Sequence, residues 1–379
     1  MIDMTTQAAC GISPMTKASL HYLIVFYYTI RIGFSQELKK LSVCRLIFSS
    51  MIYDIMEKRF SFFCIRREAF TMKFAMFGAG GTGGVLGGYL ALAGHDVTLI
   101  ARGRHLEALQ KDGLTIESAH RGTLHIKNVK AQTAEAYDET PDVLFVCCKY
   151  YALPDAIAFA KRAAGPDTLI IPILNVFGTG EVMQKDLPGL TVLDGCIYIF
   201  GNLKAPGVLE QPQKILRVIF GFRPDQAKCL EERAKALEKL LQDADIRGHY
   251  SLDIRRDALT KFGFVSPMGA AGLYHDATSE AFQKEGAVRD TYLGLIREVE
   301  ALGKAMGIVF EKDLVATGIA FIDAFEPGLK TSMQRDVEKG GLSEFDGLVN
   351  RIVALGERYH VPVPLYKKIS DWGKAKGIR

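Results

Sequence analysis

Apolar and polar positions follow two regimes along this chain. From Met72 to about residue 250, short apolar runs of strand length alternate with stretches in helical spacing. Lys73–Phe77 is the first such run, 85–93 keeps helical register, and 96–101 is a second strand. Segments 113–118 and 122–129 read as a hairpin. The run 142–148 is nearly all apolar, as a strand covered on both faces must be. A helix over 152–163 and a buried strand over 168–174 follow, then several strands over 192–221 and a helix over 225–243. Strands alternating with helices predict an α/β fold, a Rossmann-type doubly wound parallel sheet. Beyond residue 250 only helical periodicity remains, over 253–264, 280–306, 312–324 and 344–358. The expected organisation is a dinucleotide-binding domain over 72–250 and an all-α C-terminal domain over 251–379. A cleft between two such domains is where small-molecule sites commonly lie.

Residues 1–71 fit neither regime. Their most apolar run, 22–34, is broken by Arg31 and is too short to span a bilayer comfortably. It also lacks the basic start and small-residue cleavage site of a signal peptide. The expectation is that 1–71 is a spurious or disordered extension and that Met72 begins the protein proper. Charge supports the division. The first 71 residues carry nine Lys and Arg against five acids, whereas 72–379 balances at 38 against 38. A main body without excess positive charge argues against nucleic acid as a partner. With 48% hydrophobic and 24% charged residues, the chain excludes collagen-like, disulfide-scaffold and wholly disordered classes. The seven cysteines show no metal-type spacing, and adjacent Cys147 and Cys148 would point to opposite faces of a strand. Free thiols, no metal, no membrane and a cytoplasmic location are the expectations.

The strongest local signal is Gly78-Ala79-Gly80-Gly81-Thr82-Gly83-Gly84, directly after the first strand and opening a helix. Gly78, Gly80 and Gly83 match G-x-G-x-x-G. The first glycine permits the tight turn, the second lets a pyrophosphate approach the backbone, and the third lets helix and strand pack closely. The cofactor-holding residues expected here are Gly78, Ala79, Gly80, Gly81, Thr82 and Gly83. The second strand ends in Ala101-Arg102-Gly103-Arg104, where an NAD enzyme usually places an acid for the ribose 2′-hydroxyl. Guanidinium groups suit a 2′-phosphate instead, so NADP(H) is expected, with Arg102 the better candidate. Ligands of such sheets gather at the carboxyl ends of strands. Two polar residues stand at such ends: Lys149 after Val146-Cys147-Cys148, and Asn175 after Ile173-Leu174. A solvated strand end for Lys149 and a turn residue for Asn175 remain the plain structural alternatives.

From Met72 onwards the chain resembles the ketopantoate reductase family, the NADPH-dependent 2-dehydropantoate 2-reductases. The motifs follow in order over about three hundred residues: GAGGTGG at 78–84, Arg102, CCKYY with Lys149, LNVFG with Asn175 and Gly178, ALTKFGF with Lys261, and TSMQRDVEKGGLSEFDG with Ser332 and Glu344. The resemblance implies hydride transfer from NADPH to a ketoacid, in pantothenate biosynthesis. It implies Lys261 as catalytic proton donor and Glu344 as the acid near the substrate hydroxyl. Lys149 and Asn175 would line the cofactor and substrate side, and Ser332 would take part in substrate binding. The chemistry agrees, since an ammonium can stabilise the oxygen that becomes negative and can give it a proton. Glu344 after Ser343 also suits the first turn of a helix, and Lys261 could snorkel from an apolar face.

The pattern departs from the family at several positions. Asparagines typical of the family four and eight residues after the lysine are replaced by Val265 and Gly269, with Pro267 restricting the helix between them. Leu329 and Lys330 precede the Thr-Ser-Met motif where an asparagine is expected, and Ser279 stands where another would be. Ser332 and Lys330 are the residues left to bind a carboxylate. His275 is read as structural or surface. Two other functions remain open: an NADP-dependent dehydrogenase of another small hydroxyacid, and a non-catalytic NADP(H) sensor. A homodimer is the assembly that a helical second half can support.

Overall fold

Strand β1 (Lys73–Phe77) is the hub of a parallel six-stranded sheet, and Phe74, Ala75 and Met76 on it are fully buried. The computed structural model describes residues 71–379. The expectation that the N-terminal stretch is spurious or disordered concerns residues outside these. β1 lies between β2 (Asp96–Ile100) and β6 (Val143–Val146). The order β5-β2-β1-β6-β7-β8 is completed by β5 (Lys130–Gln132), β7 (Leu169–Pro172) and β8 (Thr191–Val192). Every pairing in it is parallel. Strands β6 and β7 are buried at all positions, which is why they read as unbroken apolar runs.

Helices cover both faces, as a doubly wound fold requires. On one face Phe74 and Met76 pack with Val85, Leu86 and Tyr89 of α1 (Gly81–Leu92). On the other, Ala75, Phe77, Leu144 and Val146 pack with Ala156 and Phe159 of α3 (Leu153–Ala163). Cys147 joins the first core and Cys148 the second, so the adjacent thiols do point to opposite faces. Between β2 and β5, α2 (Gly103–Asp112) leads into a hairpin of β3 (Leu114–Ser118) and β4 (Gly122–Ile126). That hairpin belongs to a separate sheet with β10 (Asn202–Ala205) and β11 (Val208–Gln211). A third sheet joins β9 (Asp194–Ile199), β12 (Leu216–Gly221) and β13 (Arg247–Tyr250). Helix α4 (Thr179–Asp186) leads into β8, and the helix before β13, α5 (Glu231–Asp243), starts six residues later than the pattern predicts, after a turn containing Pro224.

After Tyr250 the described chain is helical. α6 (Ile254–His275) is capped by the Asp253 carboxylate, which accepts from the Arg256 N–H. The helix runs eleven residues past Phe264, straight through Pro267, where the sequence predicts an end. A proline inside a helix costs about 3 kcal/mol or more. Fourteen residues of α6 are buried, and that packing overrides the local cost. The predicted helix over 280–306 is broken at Gly286, which adopts φ 139° between α7 (Ser279–Gln283) and α8 (Ala287–Ala305). α9 (Leu314–Asp323), α10 (Ser332–Glu338), a π-helical turn Asp346–Asn350, α11 (Arg351–Tyr359) and α12 (Pro364–Ala375) complete this half. Its core includes Phe262, Tyr292, Ile296, Phe345 and Tyr366, together with Val176 and Phe177 from just beyond the main sheet.

Candidate active site

The glycine turn has the geometry its sequence predicts. Gly78 has φ +105°, a conformation that disfavours other residues, and a side chain there would meet the Cys147–Cys148 backbone at 3.1 Å. A Cβ on Gly83 would fall 2.1 Å from the Gly78 carbonyl and 2.8 Å from Cys147 Cβ, so this glycine lets helix and strand close up. A Cβ on Gly80 would meet nothing within 4 Å, so its backbone faces open space. The N–H groups of the first turn of α1 are available there, because a helix leaves its first donors without internal partners. A pyrophosphate fits this cradle. Arg102 is the exposed N-terminal cap residue of α2, immediately past β2, and Arg104 is exposed beside it.

Two contacts that the sequence reading missed brace the turn. His105 bonds the Ala79 carbonyl at 2.9 Å through Nε2 and accepts from the Gly207 N–H at 3.0 Å through Nδ1. The second partner fixes the tautomer that carries its proton on Nε2. Gly81 lies against Gly201, at the turn between β9 and β10, so closely that a Cβ on Gly81 would sit 2.1 Å from the Gly201 carbonyl. The signal for each was a single His or Gly far away in sequence.

Two lysine clusters lie where the sheet half meets the helical half. Lys261, on α6, is 6% exposed, and its Nζ donates to Asn175 Oδ1 at 2.7 Å. Asn175 stands just past the end of β7, so the two residues join the sheet to the helical half. The Tyr198 ring lies under the amine at 5.7 Å. Burial lowers the Lys261 pKa, with Cys196 and Glu344 pulling the other way. A small cavity beside the amine is lined by Asn175, Phe177, Gly178, Asp194, Cys196 and Phe262.

Lys149 meets two carboxylates from the helical half, Asp336 at 3.0 Å and Glu344 at 3.1 Å. Burial pulls the Lys149 ammonium down, but Glu344 and Asp336 outweigh it and hold its pKa above the ordinary lysine value. The other oxygen of Glu344 accepts from the Tyr150 N–H at 3.3 Å. Glu344 is 3% exposed, and its carboxylate is spent on this cluster rather than on capping a helix. Asp336 carried no signal of its own in the sequence, yet it is one of the two partners of Lys149. Arg351 ties the loop after Asn175 to the same half, donating from Nε to the Phe177 carbonyl at 2.6 Å.

The remaining predicted residues are placed as follows. Ser332 opens α10 after its cap Thr331, one turn before Asp336 on the same face. Lys330 is held by Glu338 and by Asp276 at 3.4 Å. Ser279 is buried, donates to the Glu326 carbonyl at 2.6 Å and accepts from the Leu329 N–H, so it fastens a loop. His275 bonds Thr291 Oγ1 at 2.9 Å. A Cβ on Gly269 would meet the Met333 Cε methyl at 3.1 Å, so methionine fills the space beside the helix there. Among the described residues no helix is long and apolar enough to cross a membrane, and no group of His, Cys, Asp and Glu could hold a metal ion.

Family models match both halves of the described chain. Residues 74–224 match the family model of ketopantoate reductase PanE/ApbA, and residues 253–376 match the model of its C-terminal part. The chain is 27% identical over 303 residues to the uncharacterized oxidoreductase YkpB of Bacillus subtilis, covering 79% of this chain and 96% of that protein. It is 28% identical over 314 residues to a 2-dehydropantoate 2-reductase of Pyrococcus horikoshii, covering 78% and 94%. A crystal structure of 2-dehydropantoate 2-reductase from Porphyromonas gingivalis superposes with a TM-score of 0.64 at 30% identity, covering 79% and 98%.

Proposed function

The chain belongs to the ketopantoate reductase family, and from that premise we propose that it uses NADPH to reduce ketopantoate or a related 2-oxo acid to the 2-hydroxy acid. The observation that carries the reading is the bond between Lys261 Nζ and Asn175 Oδ1, which sets a buried amine at the carboxyl end of a doubly wound sheet. Gly78, Ala79, Gly80, Gly81, Thr82 and Gly83 would hold the pyrophosphate, and Arg102 the 2′-phosphate. The bound nicotinamide supplies the hydride. Asn175 takes one N–H of Lys261 and thereby aims the others. An ammonium so placed stabilises the oxygen that gains charge and gives it a proton. Its burial makes that proton easier to release, because desolvation disfavours the charged form. Glu344, fixed by Lys149 and the Tyr150 N–H, presents a carboxylate that orients a substrate hydroxyl. Lys149 thus supports the substrate side through Glu344, and Ser332 shares the helix face of Asp336.

The test is NADPH consumption by the purified full chain, with ketopantoate and related 2-oxo acids. Turnover that is lost in Lys261→Ala while NADPH still binds supports the proposal. Tight NADPH binding with no 2-oxo acid reduced would leave a binding protein and overturn it. Arg102→Ala should weaken NADPH binding about tenfold and spare NADH, since it removes one charge-assisted contact to a phosphate. Equal affinities for the two cofactors in the wild type would refute the 2′-phosphate assignment.

A further inference from the structure

Three observations meet at the cavity beside the Lys261 amine. The first is a count of donors. An ammonium carries three N–H bonds. Asn175 Oδ1 takes one at 2.7 Å, and the proposed reduction uses a second on the carbonyl oxygen. Lys261 is buried, so the third also needs an acceptor. The second observation is an acceptor without a donor. Asp194, on β9, lines the same cavity and is buried, and its Oδ1 has no hydrogen-bond partner. Arg223 Nη1 stands 3.5 Å from it, which balances the charge but leaves the hydrogen-bonding position open. A Cβ on Gly180 would fall 2.1 Å from that oxygen, so glycine in the first turn of α4 makes room for the carboxylate. Thr179 lines the cavity too, but its hydroxyl is spent on the Val176 carbonyl at 2.7 Å. The third observation is position. Glu344, Ser332 and Lys149 do not line the cavity, so it lies away from the proposed substrate side. It has room for water and is not fully enclosed.

We propose that water held in this cavity reprotonates Lys261 between turnovers, and that Asp194 positions that water. The inference rests on the proposed reduction and adds a residue to it. When the hydride arrives, the carbonyl oxygen takes a proton from the ammonium and leaves a neutral amine. The product hydroxyl then covers the substrate side, so the replacement proton comes from behind. Cavity water gives one hydrogen to the amine lone pair and takes one from solvent at the open side. The water is unchanged, and each turnover consumes one proton from bulk. Water stays in a buried cavity when polar groups hold it, whereas an apolar cavity stays dry. Asp194 Oδ1 accepts one O–H of the buried water and so fixes its orientation. Asp194 is therefore a positioning residue, and Lys261 remains the donor to substrate.

The test separates the first turnover from later ones in the full chain, with NADPH and whichever of ketopantoate and related 2-oxo acids it reduces fastest. Lys261 enters the first turnover already protonated. Asp194→Asn keeps the shape but replaces one carboxylate oxygen by a donor. Ala258→Val fills the cavity from α6, one turn before Lys261. In both variants stopped-flow NADPH oxidation in the first turnover should stay within about twofold of the wild type, while kcat falls about tenfold, less than the full contribution of a positioned proton donor. The solvent deuterium isotope effect on kcat should rise. The effect of deuterated NADPH on kcat should fall, since proton return rather than hydride transfer then limits. A high-resolution crystal structure of the wild type should show ordered water bonded to Asp194 Oδ1 and, directly or through a second water, to Lys261 Nζ. Equal losses in the first turnover and in kcat overturn the inference, because the variants would then only have disturbed the site. So do a dry cavity or an unchanged kcat in both variants. A wild type that reduces no 2-oxo acid counts against the proposed function instead, and the crystal structure still decides whether the water is there.

Discussion

Two lysines stand where the sheet half meets the helical half and are treated in opposite ways. Lys261 comes from the helical half, is buried and has a neutral partner, and its pKa is lowered by desolvation. Lys149 comes from the sheet, keeps a side chain 36% exposed and sits between two carboxylates, and its pKa is raised. The difference separates two jobs that one residue type can do. On the proposed mechanism, the ammonium that parts with its proton is deprived of bulk water and of a paired carboxylate. An ammonium meant to hold two segments together is given both.

The contrast can be tested by removing each charge. Lys261→Met should lower kcat about 10²–10⁴-fold, the range for loss of a positioned proton donor and oxyanion contact. NADPH fluorescence titration should show the cofactor still bound. Lys149→Met should reduce stability by about 1–3 kcal/mol, because the buried Glu344 carboxylate loses its ammonium. The figure lies below that of a fully buried pair because Lys149 is partly solvated. The deficit is read from the urea midpoint. A raised folded pKa means that the stabilisation is complete below the ordinary lysine value and is lost as pH rises through the folded value. The gap between wild type and Lys149→Met should therefore narrow only in strong alkali. Lys261→Met should move stability the other way, by up to about 2 kcal/mol of gain, since it removes a charge that folding desolvates. A stability loss there as large as that of Lys149→Met would erase the distinction.

Finer changes sharpen the comparison. In the wild type kcat should fall as pH rises through the lowered Lys261 pKa. Asn175→Asp sets a carboxylate against that amine, favours the ammonium and should move the fall to higher pH. The pH profile of kcat reads this directly, and an unmoved alkaline limb would remove Lys261 as the titrating group. The smallest effect is expected of Asp336→Asn. That pair is partly exposed, so less than about 1 kcal/mol should be lost, with Glu344 still holding Lys149.

The sheet half was readable from sequence because its determinants are local. Strands β6 and β7 are buried on both faces, so every residue had to be apolar. Gly78 and Gly83 answer constraints set by atoms of the turn itself or just past the neighbouring strand β6. The helical half was readable in kind but not in extent. Propensity ends α6 near Phe264, whereas the energy that carries it through Pro267 comes from α8, α10 and the π-helical turn, all distant in sequence. The same holds within the site. Lys149, Asn175, Lys261 and Glu344 carry recognisable motifs, and all four come together. Asp336, Tyr198 and His105 matter through partners 187, 63 and 26 residues away in the chain, distances over which no periodicity speaks. Lys330 and Ser279 likewise have partners that no periodicity announces, Glu338 and Asp276 for the first and the Glu326 carbonyl for the second.

The bare contact between Gly81 and Gly201 makes the cradle and the turn between β9 and β10 a single piece of architecture. Transplanting residues 78–84 into another scaffold would carry only half of the part, because its outer wall is supplied by a turn some 120 residues downstream. Any recombination between relatives whose crossover falls between these two segments must keep glycine on both sides of the seam, or the first side chain introduced will wedge the two elements apart.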